Sequence, residues 1–291
     1  MYVFTYLKEK FSKEFLSFAP VALVKGFLEV LLFVILLLPL FLLVYLTAND
    51  ISSIGTALII ILVYSLVALL AYLYIYWLLT MIVYIKVAEP QLSLREIFNK
   101  ILKYRIQSNG LMIVTFILIS VISSIISNIP SSIFSPMLSI AVTNPILGVI
   151  FAIVMIVLVL LLYLPFVVLM VYMKFSYIET GQARKSITEG ISRFINNIKT
   201  QLKAIGTMLI LNLVTWIILV LIFIVLISFA FSTDLIFSVF AMDLYAITRL
   251  IYELPKLITI LVIYAILNII VGLIYEFLKL NALLYYFKSS K

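Results

Sequence analysis

Two carboxylates stand beside long apolar runs, Glu29 in KGFLEV and Glu276 in IYEFLK. An ionisable group inside a bilayer is by default a place where a proton or cation moves. Each also has a plainer use. Lys25 lies four residues before Glu29 and Lys279 three after Glu276, so one helical turn brings each acid a base. Residues 30–48 and 257–275 each supply about 19 apolar residues, enough to span without either carboxylate. Both acids are therefore expected at the inner interface as local ion pairs, with a relay as the sharper alternative.

Asn212 and Asn268, with Ser65, Thr215 and Thr259, are the polar groups placed deepest in apolar runs. Their ordinary use is interhelical hydrogen bonding, worth about 0.6 to 2 kcal/mol each; a substrate path requires several of them to converge. The tyrosines of YLYIYW (Tyr72 to Trp77), with Tyr163, Tyr172, Tyr264 and Tyr275, read as interfacial belt and packing. A pocket for an aromatic or isoprenoid ligand is the alternative.

The absences are as informative. With no Cys and no His, the chain lacks thiolate chemistry, the commonest general base and the two commonest transition-metal ligands. No phosphate-binding loop, nucleophile elbow or zinc-protease motif occurs. No catalytic residue, cofactor or metal is expected, and the chain has no means of using ATP itself.

These residues must be positioned by membrane helices. Of 291 residues 66% are hydrophobic and 11% charged, far outside soluble proportions. The runs exceed about 18 residues and lack the two-residue alternation of a barrel, so the fold class is all-α. Hydropathy places six spans, near residues 27–47, 57–86, 110–128, 146–173, 206–231 and 257–286. Pro39 and Pro165 fall inside spans and predict kinks. The run after the charged N-terminal segment is too long for a signal peptide and reads as a retained anchor.

Of the 20 Lys and Arg only Arg249 and Lys256 fall on the connections opposite the rest. The positive-inside rule then predicts a cell-membrane protein with both termini and both basic connections in the cytoplasm.

The basic connections have helical periodicity. After a capping box at Ser93 and Glu96, the apolar residues Ile97, Phe98, Ile101, Leu102 and Ile106 share one side and Arg95, Asn99, Lys100 and Lys103 another, with Arg105 following. Ile187, Ile191, Phe194, Ile195, Ile198 and Leu202 form a second stripe opposite Arg184, Lys185, Glu189, Arg193, Asn196 and Lys203, with Lys199 between. Phe4, Leu7, Phe11, Phe15 and Phe18 make a third near the N-terminus. Each predicts a helix lying flat among the headgroups. The nine cations Arg95, Lys100, Lys103, Arg105, Arg184, Lys185, Arg193, Lys199 and Lys203 are the candidate contacts to lipid headgroups or a partner. They need no nucleic acid to explain them.

Each stripe leads to a glycine (Gly26, Gly110, Gly206) taken as a bend, and each even-numbered span ends in Tyr and Lys (Lys86, Lys174, Lys288). The expected organisation is one membrane domain over 1–291, built as three transmembrane hairpins, each preceded by an amphipathic interfacial helix, in repeat-like units 1–88, 89–178 and 179–291. Outer connections are short near 47–56 and uncharged from 128 to 145; a further interfacial helix is expected in 233–255.

The stretch LPFVVLMVYMKFSYIETGQARKSITEGISRFINNIKTQLKAIGTML, with Ala183, Ser186 and Gly190, resembles a pattern in the membrane-domain family associated with glycerophosphodiester phosphodiesterases and its uncharacterised prokaryotic relatives. The resemblance implies a helical membrane module, sometimes fused to a catalytic domain. No such domain is present in this sequence, so the activity is not carried over. The Ile-, Leu- and Tyr-rich composition resembles that of archaeal or thermophilic proteins.

The function expected is a non-enzymatic membrane module that organises lipid or docks another membrane subunit. One alternative is the permease subunit of a transporter powered by a separate cytosolic ATPase; another is an intramembrane lipid-processing enzyme built on Glu29 or Glu276.

Overall fold

The computed structural model describes residues 2–47, 54–134, 145–231 and 253–290. Among them the chain is all-helical: α1 (Tyr2–Thr47), α2 (Ile54–Ala88), α3 (Leu94–Leu102), α4 (Ile106–Phe134), α5 (Pro145–Thr180), α6 (Ala183–Asn196), α7 (Ile198–Ala230) and α8 (Leu254–Ser289). All but α3 and α6 are long and apolar enough to cross a bilayer, six in number as the hydropathy predicts. The chain is a multi-pass membrane protein. The helix expected in 233–255 falls almost entirely outside the described residues.

Two compact units are present, Met1–Gly206 with Leu280–Lys291, and Thr207–Lys279. In the first, α5 packs on α4 and α6, and α2 packs on α1, α3, α4 and α5. Its core gathers at one end of the helices. Nearly every residue from Trp77 to Val87 on α2 is buried, as is most of α5 from Leu164 to Ile178 and the α8 terminus from Leu280 to Leu284. Residues 59–70 of α2 are mostly exposed, with Tyr64 donating to the Leu36 carbonyl of α1 at 3.2 Å. The buried end is the one that bears the basic connections, called here the basic end. The second unit is held in part by Tyr275, whose hydroxyl donates to Asn212 Oδ1 at 2.8 Å, and by an edge-on contact of Phe223 with Tyr264 at 5.3 Å.

The helix breaks differ from those the glycines predict. The first amphipathic stripe is continuous with the first span in α1, whose 46 residues extend about 69 Å at 1.5 Å per residue. The helices also continue through Pro39 and Pro165. Gly26, Gly110 and Gly206 lie within helices, and a methyl group added at any of them meets nothing within 4 Å.

The breaks fall instead at residues 103–105 and at Asn197, where side chains stabilise them. The Tyr104 ring docks on Tyr177 at 4.9 Å. Asn197 Oδ1 accepts from the Thr200 hydroxyl at 2.8 Å and from its backbone N–H at 3.3 Å, capping the start of α7. The glycine that a turn does require is Gly181, at φ 65°, whose N–H donates to the Tyr177 carbonyl at 2.9 Å and closes α5 in the left-handed conformation.

Candidate functional site at the basic end

From the Gly181 turn, α6 folds back along α5. Its inward face is small: Ala183, Ser186 and Gly190, at spacings of three and four, are all buried. A Cβ on Gly190 would stand 2.9 Å from the Met173 Cα, so the two backbones touch. The Ser186 hydroxyl lies 2.7 Å from that of Thr180 and donates to the Gln182 carbonyl at 2.6 Å, fixing the turn. Ala183, Ser186 and Gly190 are thus the residues by which α6 packs on α5.

With its small face turned inward, α6 presents Arg184 and Lys185 outward, and Ile191 and Ile195 stay exposed, as do Ile198 and Leu202 on the first turn of α7. The α3 helix is arranged likewise. The Ser93 N–H and hydroxyl both donate to Glu96 Oε2 at 2.8 Å, and the Glu96 N–H donates back to Ser93 Oγ at 3.4 Å, completing the expected capping box. These hydrogen bonds hold the Glu96 carboxyl below its ordinary pKa. Ile97 and Ile101 are buried, while Phe98, Leu102 and Ile106 remain exposed beside Arg95, Lys103 and Arg105.

Of the nine candidate contact residues, Arg95, Lys103, Arg105, Arg184, Lys185, Lys199 and Lys203 are exposed. The other two turn inward. Lys100 pairs with Glu89 across the α2–α3 turn. Arg193 donates to Glu179 Oε2 at 3.0 Å, stacks over Phe287 at 4.1 Å, and its carbonyl accepts from the Gln201 side chain at 3.1 Å. A stack of this kind contributes about 0.5 to 2 kcal/mol, more as water is excluded. Near it the Tyr172 hydroxyl faces Gln201 and Arg193 without a hydrogen bond of full geometry.

Behind these helices lies a buried polar node that the sequence does not announce. Asn109, on the first turn of α4 and 1% exposed, accepts at Oδ1 from both the Tyr177 hydroxyl (2.9 Å) and the Trp77 indole N–H (3.1 Å). It joins α2, α4 and α5. The Tyr104 ring closes the node from outside; burial first, then the neighbouring Tyr177 and Glu89, push its phenol well above the ordinary value.

The lysines expected as headgroup anchors diverge. Lys86 is buried and donates to the carbonyls of Pro90 (2.7 Å) and Leu92 (3.0 Å), holding the α2–α3 turn. Lys288 is exposed. Lys174 lies six residues before the end of α5, and its ammonium sits over three rings, Tyr84 at 4.7 Å, Phe116 at 5.2 Å and Trp77 at 5.9 Å. Beside it a groove of about 500 Å³ opens between α2, α4 and α5, in the size range of small-molecule sites.

The intramembrane candidates separate. Lys25 Nζ lies 3.5 Å from Glu29 Oε1, the local pair the spacing predicts. In the second unit Asn212 donates to the Met208 carbonyl at 2.9 Å and accepts from Tyr275, the interhelical use expected of it. Asn268 is exposed, and Glu276 is half-buried on the turn that holds Lys279, whose ammonium lies 5.6 Å from the Tyr275 ring. Among the described residues no three carboxylates gather into a metal-holding group.

Comparison with protein-family models, curated proteins and solved structures gives no match.

Proposed function

We propose that this protein is a non-enzymatic membrane module whose basic end gathers anionic lipid headgroups and docks a membrane partner. In this reading the basic end faces the cytoplasm, and α3 and α6 lie at headgroup level.

One observation carries the proposal. The exposed cations Arg95, Lys103, Arg105, Arg184, Lys185, Lys199 and Lys203 adjoin exposed apolar residues, Phe98, Leu102 and Ile106 on one side and Ile191, Ile195, Ile198 and Leu202 on the other. Of their helices, α3 and α6 have already buried another face against α2 and α5 respectively. A mixed apolar and cationic surface suits the boundary between acyl chains and phosphate, where each well-placed Lys or Arg contributes about 1 kcal/mol.

The absence of cysteine makes the test direct. Single reporters, Arg95→Cys and Arg184→Cys, in right-side-out cells should resist a membrane-impermeant maleimide and react once the membrane is opened; reaction in intact cells overturns the orientation. In nanodiscs of mixed phosphatidylcholine and phosphatidylglycerol, the wild type should enrich phosphatidylglycerol around itself, and R184Q/K185Q/K199Q should lose most of that enrichment. Equal enrichment by both removes the headgroup reading, and copurification of a stoichiometric ATPase replaces the module with a permease.

A further inference from the structure

The groove between α2, α4 and α5 belongs to none of the surface contacts above, and its chemistry is one-sided. Its walls are apolar, formed by Leu73, Ile113, Ile117 and Val121 among others, and its lining includes one cation, Lys174, and no carboxylate. We propose that it is a saturable site for one anionic membrane phospholipid, with an acyl chain along the groove and the headgroup phosphate on the Lys174 ammonium.

Three features fit that occupant. The first is polarity along the length. The Lys174 ammonium is next to Phe116, and Met170, one turn earlier on α5, accepts a 3.8 Å contact from the Ser120 hydroxyl, one turn later on α4. The helices therefore run antiparallel, with the cation towards the basic end and Ser124 and Val121 towards the apolar far end. A lipid whose head lies at the basic face has the same orientation.

The second is a hydrogen-bonding wall beside the cation. Tyr76, 42% exposed, lines the groove with its hydroxyl beside that of Thr80, one turn later on α2 and buried behind the wall. A phosphate or ester oxygen there would accept from the Tyr76 hydroxyl. The third is the caging of the ammonium. Rings of Tyr84, Phe116 and Trp77 hold it at the groove, so its field acts where water is scarce and an anion gains most from it. The groove is also open along its side, since Tyr76, Ile117 and Val121 are exposed, so a lipid enters from the bilayer without a path through the protein.

This site deepens the lipid reading yet fails separately from it. Full-length protein in nanodiscs of phosphatidylcholine with a minor fraction of phosphatidylglycerol should, after extraction into mild detergent, retain one phosphatidylglycerol per chain by native mass spectrometry. Lys174→Met should weaken that retention about tenfold or more, equivalent to about 1.4 kcal/mol, while Lys174→Arg restores it. Ser124→Phe, on the exposed far end, fills the groove without touching charge and should also expel the lipid; it decides the matter if Lys174→Met does not fold. R184Q/K185Q/K199Q should lose surface enrichment and keep the retained lipid. The groove site is overturned if Lys174→Met and Ser124→Phe retain phosphatidylglycerol like the wild type, if phosphatidylcholine is retained equally well, or if the surface variant alone releases the lipid.

Discussion

The Tyr177 hydroxyl donates a 2.9 Å hydrogen bond to Asn109 Oδ1 across 68 residues of sequence. The Trp77 indole shares that oxygen, so one buried side chain satisfies two buried donors from two other helices. Removing it orphans both, and each orphaned donor costs about 1 to 3 kcal/mol. Asn109→Leu should lower the thermal midpoint in detergent and quench-shift the Trp77 fluorescence, whereas Tyr177→Phe, which deletes one donor together with its need, should cost about 1 kcal/mol. Equal midpoints for Asn109→Leu and wild type would show that the node does not hold the helices.

Glycines here divide into those that backbone contact demands and those it does not. Gly190→Ala places a methyl against the Met173 backbone and should destabilise by about 1 to 3 kcal/mol, loosening α6 so that proteolysis between 181 and 197 accelerates. Gly110→Ala and Gly206→Ala meet open space within helices and should stabilise by about 0.5 to 1 kcal/mol. Thermal unfolding of the three variants side by side reads the contrast; a stabilising Gly190→Ala contradicts the close approach.

Glu96 predicts a pH dependence confined to α3. Its folded pKa lies below the ordinary 4.5 because the Ser93 N–H and hydroxyl donate to the carboxylate. A depressed folded value means the contribution is fully present above about pH 4.5 and lost as pH falls through the folded value. Hydrogen exchange at residues 94–98 should speed up over that acidic window beyond the chemical rate. Glu96→Gln should abolish the extra dependence, and its persistence in that variant would assign it elsewhere.

Arg193 combines charge and plane. Arg193→Lys keeps the pairing with Glu179 but loses the flat stack on Phe287, and should cost about 0.5 to 2 kcal/mol. Glu179 is 36% exposed, so Glu179→Gln should cost less, about 1 kcal/mol at most, and the cost should shrink with added salt. A larger loss for Glu179→Gln than for Arg193→Lys would make the ion pair, not the stack, the stronger anchor.

What the sequence made legible is what is local. Runs of apolar residues placed all six spans, the pattern SLRE placed the start of α3, and spacing alone paired Lys25 with Glu29. The interhelical use of Asn212 was also readable, since an amide inside a span has few other outlets.

What was illegible depends on distant partners. Asn109 looks like a loop residue in SNG until Tyr177 and Trp77 are brought to it. Lys86, Lys174 and Lys288 share one sequence setting and take three environments, a buried cap, a ring cage and an exposed position. The one cue to Lys174 was that FSYIET continues the helical apolar spacing beyond it, which sets it inside α5 rather than at its rim. The glycines misled because three of them mark no break at all, while Asn197 and Tyr104, less conspicuous in sequence, mark the real ones.

The uneven burial along α2 and α5 has a mechanical meaning. Two rods packed most deeply over their last few turns and less deeply over the remainder behave like tongs: the grip stays shut while the arms shift. When the surrounding bilayer thickens or thins, helices adjust chiefly by changing tilt, and here that adjustment falls on the less buried arms around residues 59–70 and 153–163. The jaws, with Asn109 and Lys174 between them, keep their spacing. Membranes of different thickness should therefore alter the outline of the protein far from its cations while leaving its grip on them unchanged.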